Sequence, residues 1–185
     1  LHALDYLVFG HLQQGQEQAA KQWVDEVAAI RKVNVENFVA AYAFAAIPAR
    51  YSLERGQWRE AAALELSPAA LAWDRFPQAE AILIFARGLG AARSGNADAA
   101  RTDVERLQAL QAAMRQNTLG YWADQAEFQI RAVNAWIAQA ENRPDDALRL
   151  MREAADLEEA SDKHPVTPGN VVPSRELLAE LLMLQ

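Results

Sequence analysis

Four short turns recur along the chain at nearly regular intervals, and each opens a segment that carries alanine at the same offset. The turns are centred on Gly15, Gly56, Gly95 and Asn142, which follow one another at intervals of 41, 39 and 47 residues. A structural unit that recurs every ~20–50 residues indicates a solenoid, in which each unit buries its apolar face against its neighbours. The spacing therefore predicts an all-α fold, a right-handed α-solenoid of antiparallel helix hairpins.

The composition favours helices and excludes several classes of function. Alanine supplies about a fifth of the 185 residues, whereas glycine and proline are few (8 and 7), a balance that favours close helix packing over sheet. A formal charge of −7 argues against a nucleic-acid partner, which requires a basic stripe. The absence of cysteine excludes disulfides and thiolate metal sites, and no apolar run is long enough to insert into a membrane.

Helical periodicity continues through most of the sequence. It predicts one continuous array of helices without a domain boundary. The third helix contains Pro48, where we expect a kink, and Ser67-Pro68 resembles a cap that starts a short helix to about Asp74. The predicted units cover about 1–33, 34–75, 77–116 and 118–163, followed by a proline-rich loop over 164–173 and a final helix over 174–185. The predicted helices cover about 1–14, 16–32, 35–55, 57–66, 68–74, 78–94, 96–116, 118–141 and 144–163.

The turns carry a more specific pattern. Gly15 precedes Ala20 by five residues, Gly56 precedes Ala61, Gly95 precedes Ala100, and Asn142 precedes Ala147. This pattern resembles the tetratricopeptide repeat, in which small residues let the two helices of a hairpin approach closely. The units are longer than the ~34 residues usual for that family.

A narrower resemblance extends over nearly the whole chain. The strings at 1–7, 46–51, 164–169 and 173–178 are similar to the later part of large bacterial tetratricopeptide-repeat proteins, which as a group have no established activity. The resemblance implies that Ser174–Gln185 is the first helix of a further, truncated repeat. It also suggests a periplasmic or other extracytoplasmic location.

The family resemblance also implies a partner-binding groove lined by the first helix of each pair. Aromatic rings, arginines and amides at these positions suit a peptide or partner protein, since rings supply buried area and the polar groups satisfy a backbone or a carboxylate. The candidate groove residues are Asp5, Tyr6, Phe9, Arg50, Glu54, Phe85, Leu89, Arg93, Gln129, Trp136 and Gln139. Aromatic residues at helical spacing are more often part of a core than ligand contacts, and arginines at such positions are more often solvated or paired with a neighbouring acid.

Two other functions stay open from sequence alone. The groove could close into an aromatic pocket around Tyr121, Trp122 and Trp136 and bind a small molecule, as an enzyme-associated domain would. The chain could also be a scaffold, in which exposed leucines of the last helix dock further repeats or drive self-association. These leucines are Leu177, Leu178, Leu181 and Leu182.

The remaining chemistry-bearing residues favour binding over catalysis. His164 lies in the proline-rich loop, which is either a functional loop or a structural bridge between repeats. Asp156, Glu159 and Asp162 share a helix face near His164, but one helix face cannot wrap oxygens around a cation. No histidine stands in a catalytic motif, so we expect no enzyme activity, no cofactor and no metal.

Overall fold

The structure of the chain, a computed structural model, describes residues 1–185 and contains nine α-helices and no strand. One turn of 3-10 helix, Trp73–Arg75, precedes α5. The helices are α1 His2–Gln13, α2 Glu17–Ala28, α3 Phe38–Glu54, α4 Trp58–Ala62, α5 Pro77–Arg93, α6 Ala97–Gln116, α7 Gly120–Ala140, α8 Pro144–Glu159 and α9 Ser174–Met183. None of them is both long and apolar enough to cross a membrane.

The four turns seen in the sequence share one backbone structure. Gly15, Gly56, Gly95 and Asn142 all have left-handed φ angles, between +57° and +84°, a conformation that glycine adopts freely and asparagine tolerates. At each turn the residue after the anchor donates its N–H to the carbonyl five residues earlier, at 2.8–2.9 Å, which is the helix-ending Schellman bond. Thr118, with φ of +58°, makes a fifth turn of this kind that the sequence did not reveal.

The helices pack in a regular pattern. Consecutive helices contact one another, and each odd-numbered helix also contacts the next odd-numbered one. The alanines five residues after the four anchors are all fully buried at 0% exposure, because they lie where neighbouring helices approach. Fifty-one buried residues form one continuous hydrophobic cluster.

Two predicted stretches of helix between α3 and α5 do not form. α4 ends at Ala62, and the short helix expected from Ser67-Pro68 to Asp74 is replaced by an irregular segment with a cis Ser67–Pro68 bond. This segment buries Leu71, Trp73 and Phe76, although on a helix Leu71 would lie on the face opposite Trp73 and Phe76. Irregular backbone therefore lets all three side chains reach the core.

The exposed leucines expected on the last helix are mostly buried, which corrects that prediction. Leu177 and Leu181 have 0% exposure and Leu178 has 8%, because α9 packs against α8 and α7. Leu182 alone of the four is exposed, at 48%.

α4 and α5 approach each other closely at Gly90 in α5. A methyl group placed there would come within 2.5 Å of the Trp58 carbonyl oxygen and 2.6 Å of the Ala62 nitrogen, both of which belong to the backbone of α4. Since backbone cannot move aside as a flexible side chain can, only glycine lets α4 approach α5 this closely.

We predict that Gly90→Ala lowers the free energy of unfolding by about 1–3 kcal/mol, because the added methyl forces α4 away from α5. Gly10→Ala is the matched control, since a methyl there meets nothing within 4 Å. That substitution should stabilise the protein by about 0.5–1 kcal/mol through helix propensity. Urea unfolding of both variants measures the difference, and equal effects would contradict the packing argument.

Candidate functional site

The proline-rich loop does not extend into solvent but lies across the odd-numbered helices. We call residues 164–172 the covering segment, and the surface of α1, α3, α5 and α7 beneath it the groove. Tyr6 on α1 donates its hydroxyl to the Pro165 carbonyl at 3.4 Å, and Tyr121 on α7 accepts the His164 N–H at 3.0 Å. At the far end of the segment, Val171 and Val172 are buried.

Arg50 on α3 is the residue that joins the groove to the covering segment. It is fully buried, at 0% exposure, and its two terminal nitrogens donate to the carbonyls of Gly169 and Asn170, each at 3.0 Å. Its Nε donates to Asp5 at 3.3 Å, and its guanidinium lies 5.3 Å from the centre of the Phe9 ring. One cation therefore connects α1, α3 and the covering segment.

Two carboxylates surround this cation, and burial changes the chemistry of both. Burial raises the pKa of Asp5, an effect that outweighs the attraction of Arg50. Burial also raises the pKa of Glu54, whose carboxylate lies 3.6 Å from Arg50. The second carboxylate oxygen of Asp5 has no hydrogen-bond partner within the protein, so this part of the groove has unused capacity to accept a hydrogen bond.

A cluster of aromatic rings encloses His164. The imidazole lies 4.8 Å from Trp122, 5.5 Å from Tyr121 and 6.1 Å from Phe38, measured between ring centres. Its Nδ1 accepts the Val166 N–H at 3.2 Å. We call these three rings, together with Tyr42 behind them, the aromatic box. Burial raises the pKa of Tyr42 to about 12, so its phenol stays protonated.

Two glutamine amides form the floor beneath the covering segment. Gln78 on α5 and Gln129 on α7 are 7% and 8% exposed, and neither amide oxygen has a hydrogen-bond partner within the protein. Both side chains line a cavity of about 20 Å³ that Asn170 and Val171 close from above, a space for one water molecule. No group of the protein donates to these two oxygens, so a donor brought into the cavity would find two acceptors there.

A second polar cluster lies at the opposite end of α5. The Arg93 guanidinium is stacked between Trp58 and Trp136, at 3.6 and 3.8 Å from their ring centres, and pairs with Glu180 on α9. Burial lowers the pKa of Arg93. Gln139 accepts a hydrogen bond from Gln185 at 3.2 Å. This end of the array is therefore covered by α9.

The sequence-derived groove candidates thus fall into two groups. The structure brings Asp5, Tyr6, Phe9, Arg50 and Glu54 together around the covering segment, with Gln129 beneath it, and brings Arg93, Trp136 and Gln139 together under α9. Phe85 and Leu89 are core residues, at 3% and 0% exposure. As partner contacts, all of these candidates stay predictions.

The rings proposed for a small-molecule pocket do not converge. Tyr121 and Trp122 belong to the aromatic box, whereas Trp136 packs on Arg93. Fourteen residues separate Trp122 from Trp136 on one helix, which places them about 21 Å apart at 1.5 Å per residue.

The acidic stretch at the end of α8 pairs with groups of the chain itself. Arg175 on α9 forms hydrogen bonds with Asp156 and Glu159 at 2.6–2.9 Å, which compensates acids placed at a helix C-terminus. Glu158 accepts from the Asn170 side chain and from the Ser174 N–H, each at 2.7 Å. These carboxylates therefore hold the end of the covering segment and the start of α9.

Sequence reasoning missed Gln78, Phe38 and Tyr42 as parts of the site. All three lie on first helices of the hairpins, but counting from the turn anchors did not reach them. The packing of successive odd-numbered helices, which brings α3, α5 and α7 together, was the missing information. Comparison with known proteins adds nothing, because no family model matches the chain and neither a curated protein nor a solved structure shows significant similarity to it.

We predict that Arg50→Met destabilises the protein by about 3–5 kcal/mol, because it leaves a buried carboxylate and two loop carbonyls without their donor. Arg55→Met, at the residue directly after α3, is the control. Arg55 is 21% exposed and pairs with Glu17, so its loss should cost about 1 kcal/mol or less. Thermal and urea unfolding would test this, and similar losses for the two variants would show that Arg50 is not a structural junction.

We also predict that Asp5 makes the free energy of unfolding depend on pH. Because its pKa is raised above the ordinary 3.8, the folded state keeps the Asp5 proton at a pH where the unfolded chain has lost it. The contribution of Asp5 to stability is therefore most favourable below pH ~4 and declines as the pH rises through the folded-state pKa. Unfolding free energies of the wild type and Asp5→Asn, measured from about pH 3 to 7, should show this decline in their difference; a difference that grows with pH would contradict it.

Proposed function

We propose that this chain is a tetratricopeptide-like interaction module that holds an extended peptide segment of a partner protein in the groove. The proposal includes the finer architecture, a right-handed solenoid of helix hairpins in which the odd-numbered helices form the inner surface. Its support is the identical left-handed turn at the four anchors and the contact of each odd-numbered helix with the next.

The observation that carries the function is the way in which the groove holds the covering segment. Arg50 binds the segment through the carbonyls of Gly169 and Asn170, and Tyr121 binds it through the N–H of His164. Contacts to the main chain do not depend on side-chain identity, so the same groups suit other extended peptides. The aromatic box adds a position that favours a ring.

The test begins with a library of displayed random decapeptides, selected on the full chain. We expect enriched peptides to bind the Gln78→Met/Gln129→Met double variant about tenfold or more weakly, since each lost hydrogen bond is worth about 1 kcal/mol. The same variant should be as stable as the wild type or more stable, because it removes two buried acceptors that have no partner. Isothermal calorimetry and thermal unfolding measure the two effects.

Opposite changes in affinity and stability distinguish a binding role from a structural one. Gln108→Met, on the exposed side of α6, is the control and should change neither. The selection is repeated on a variant in which glycines and serines replace residues 164–170. The proposed function would be contradicted if neither protein enriched any peptide. Equal affinity of an enriched peptide for the wild type and the double variant would place its site elsewhere.

A further inference from the structure

We propose that the covering segment is a built-in competitor, which occupies the peptide site of the groove and must be displaced by the partner's peptide. The proposal rests on the proposed function and adds the regulation and the chemistry of the partner.

The covering segment occupies the groups that the groove offers to a ligand. The His164 ring fills the aromatic box, and five to six residues further on the carbonyls of Gly169 and Asn170 occupy both terminal nitrogens of Arg50. No second peptide can use these groups while the segment is in place. A partner peptide and the segment therefore exclude each other.

The segment leaves the floor of the groove unsatisfied. The amide oxygens of Gln78 and Gln129 face a small cavity directly beneath Asn170 and Val171 but receive no hydrogen bond from them. Both side chains are more than nine-tenths buried, so their orientation is fixed by the surrounding helices. A ligand that brings donors to this depth forms hydrogen bonds that the segment does not.

These features define the partner. It is an extended peptide with a ring side chain for the aromatic box and, five to six residues later, two consecutive carbonyls for Arg50. Next to those carbonyls it carries a donor, a backbone N–H or a side-chain amide, that reaches Gln78 and Gln129. The covering segment has the ring and the two carbonyls, but none of its donors reaches Gln78 or Gln129.

The attachment of the segment allows it to leave without disturbing the helices. α8 ends at Glu159 and α9 begins at Ser174, so residues 164–170 lie in irregular backbone between them. Within this stretch, side-chain contacts such as Lys163 with the Thr167 carbonyl, at 2.6 Å, and Glu158 with Asn170 fix its position. A tethered segment acts at an effective concentration in the millimolar range, which suppresses binding of a free peptide of the same sequence.

The experiment uses a fluorescently labelled decapeptide copy of residues 163–172, Lys-His-Pro-Val-Thr-Pro-Gly-Asn-Val-Val. Its binding is measured by anisotropy to the full chain and to a variant in which residues 164–170 are replaced by seven alternating glycines and serines. We expect the variant to bind the decapeptide at least about tenfold more tightly, which corresponds to a groove that is open in a tenth or less of intact molecules. The matched control replaces residues 31–35, in the connection between α2 and α3, by glycines and serines and should bind like the intact chain.

The outcomes separate this proposal from the proposed function. If the folded variant does not bind the decapeptide, or binds it no more tightly than the intact chain does, the segment is not a competitor. If the enriched library peptides bind the intact chain and the variant equally, the groove binds peptides but the covering segment does not compete with them, and this proposal is wrong.

A second variant keeps the proposal testable if the first one does not fold. Should circular dichroism show that the seven-residue replacement unfolds the chain, His164→Ser, which empties only the aromatic box, takes its place. Tighter binding of the decapeptide to His164→Ser than to the intact chain supports the competitor, and equal binding overturns it.

Discussion

The buried guanidinium of Arg50 is the interaction on which this end of the molecule depends. Removing a cation from water costs several kcal/mol unless its donors all find partners, and Arg50 finds them on three separate parts of the chain. Asp5 lies 45 residues before it, and Gly169 and Asn170 lie about 120 residues after it. Since no part alone supplies all of these partners, Arg50 links α1, α3 and the covering segment. A chain built from local helices thereby gains contacts between residues about 120 positions apart.

The buried polar atoms without a partner lie on the odd-numbered helices. Four such side-chain atoms belong to Asp5, Gln78, Gln129 and Trp136, on α1, α5 and α7. Asp5 lies beside Arg50 and the two glutamines line one cavity beneath the covering segment, whereas Trp136 lies under α9 at the other end of α5. Folded proteins pair nearly all such groups, so the two glutamine oxygens that share a cavity are the part of this set that the proposed peptide would satisfy.

Local patterns in the sequence predicted the helices and their turns, and missed what depends on distant contacts. The left-handed turns at Gly15, Gly56, Gly95 and Asn142 follow from local backbone chemistry, as do the buried alanines after them. The burial of Leu177 and Leu181 was missed because it depends on how α9 returns to α8. The irregular stretch before α5 was missed because Leu71 reaches the core together with Trp73 and Phe76, which a helix would not allow. Arg50 was named as a groove candidate, but no local signal could show that its partners are the carbonyls of a loop 120 residues away.

The composition of the covering segment suits a competitor that holds its place without being the best ligand. Pro165 and Pro168 within it, and Pro173 directly after it, restrict the backbone, which lowers the entropy lost when the segment orders in the groove. Asn170 and Val171 line the cavity with Gln78 and Gln129, but neither donates a hydrogen bond to the two amide oxygens. The segment is therefore pre-organised for the groove but leaves its floor without hydrogen bonds. A partner peptide without these prolines loses more entropy when it becomes ordered and offsets that loss with hydrogen bonds to the floor, so its exchange with the segment depends on a small difference between two competing terms.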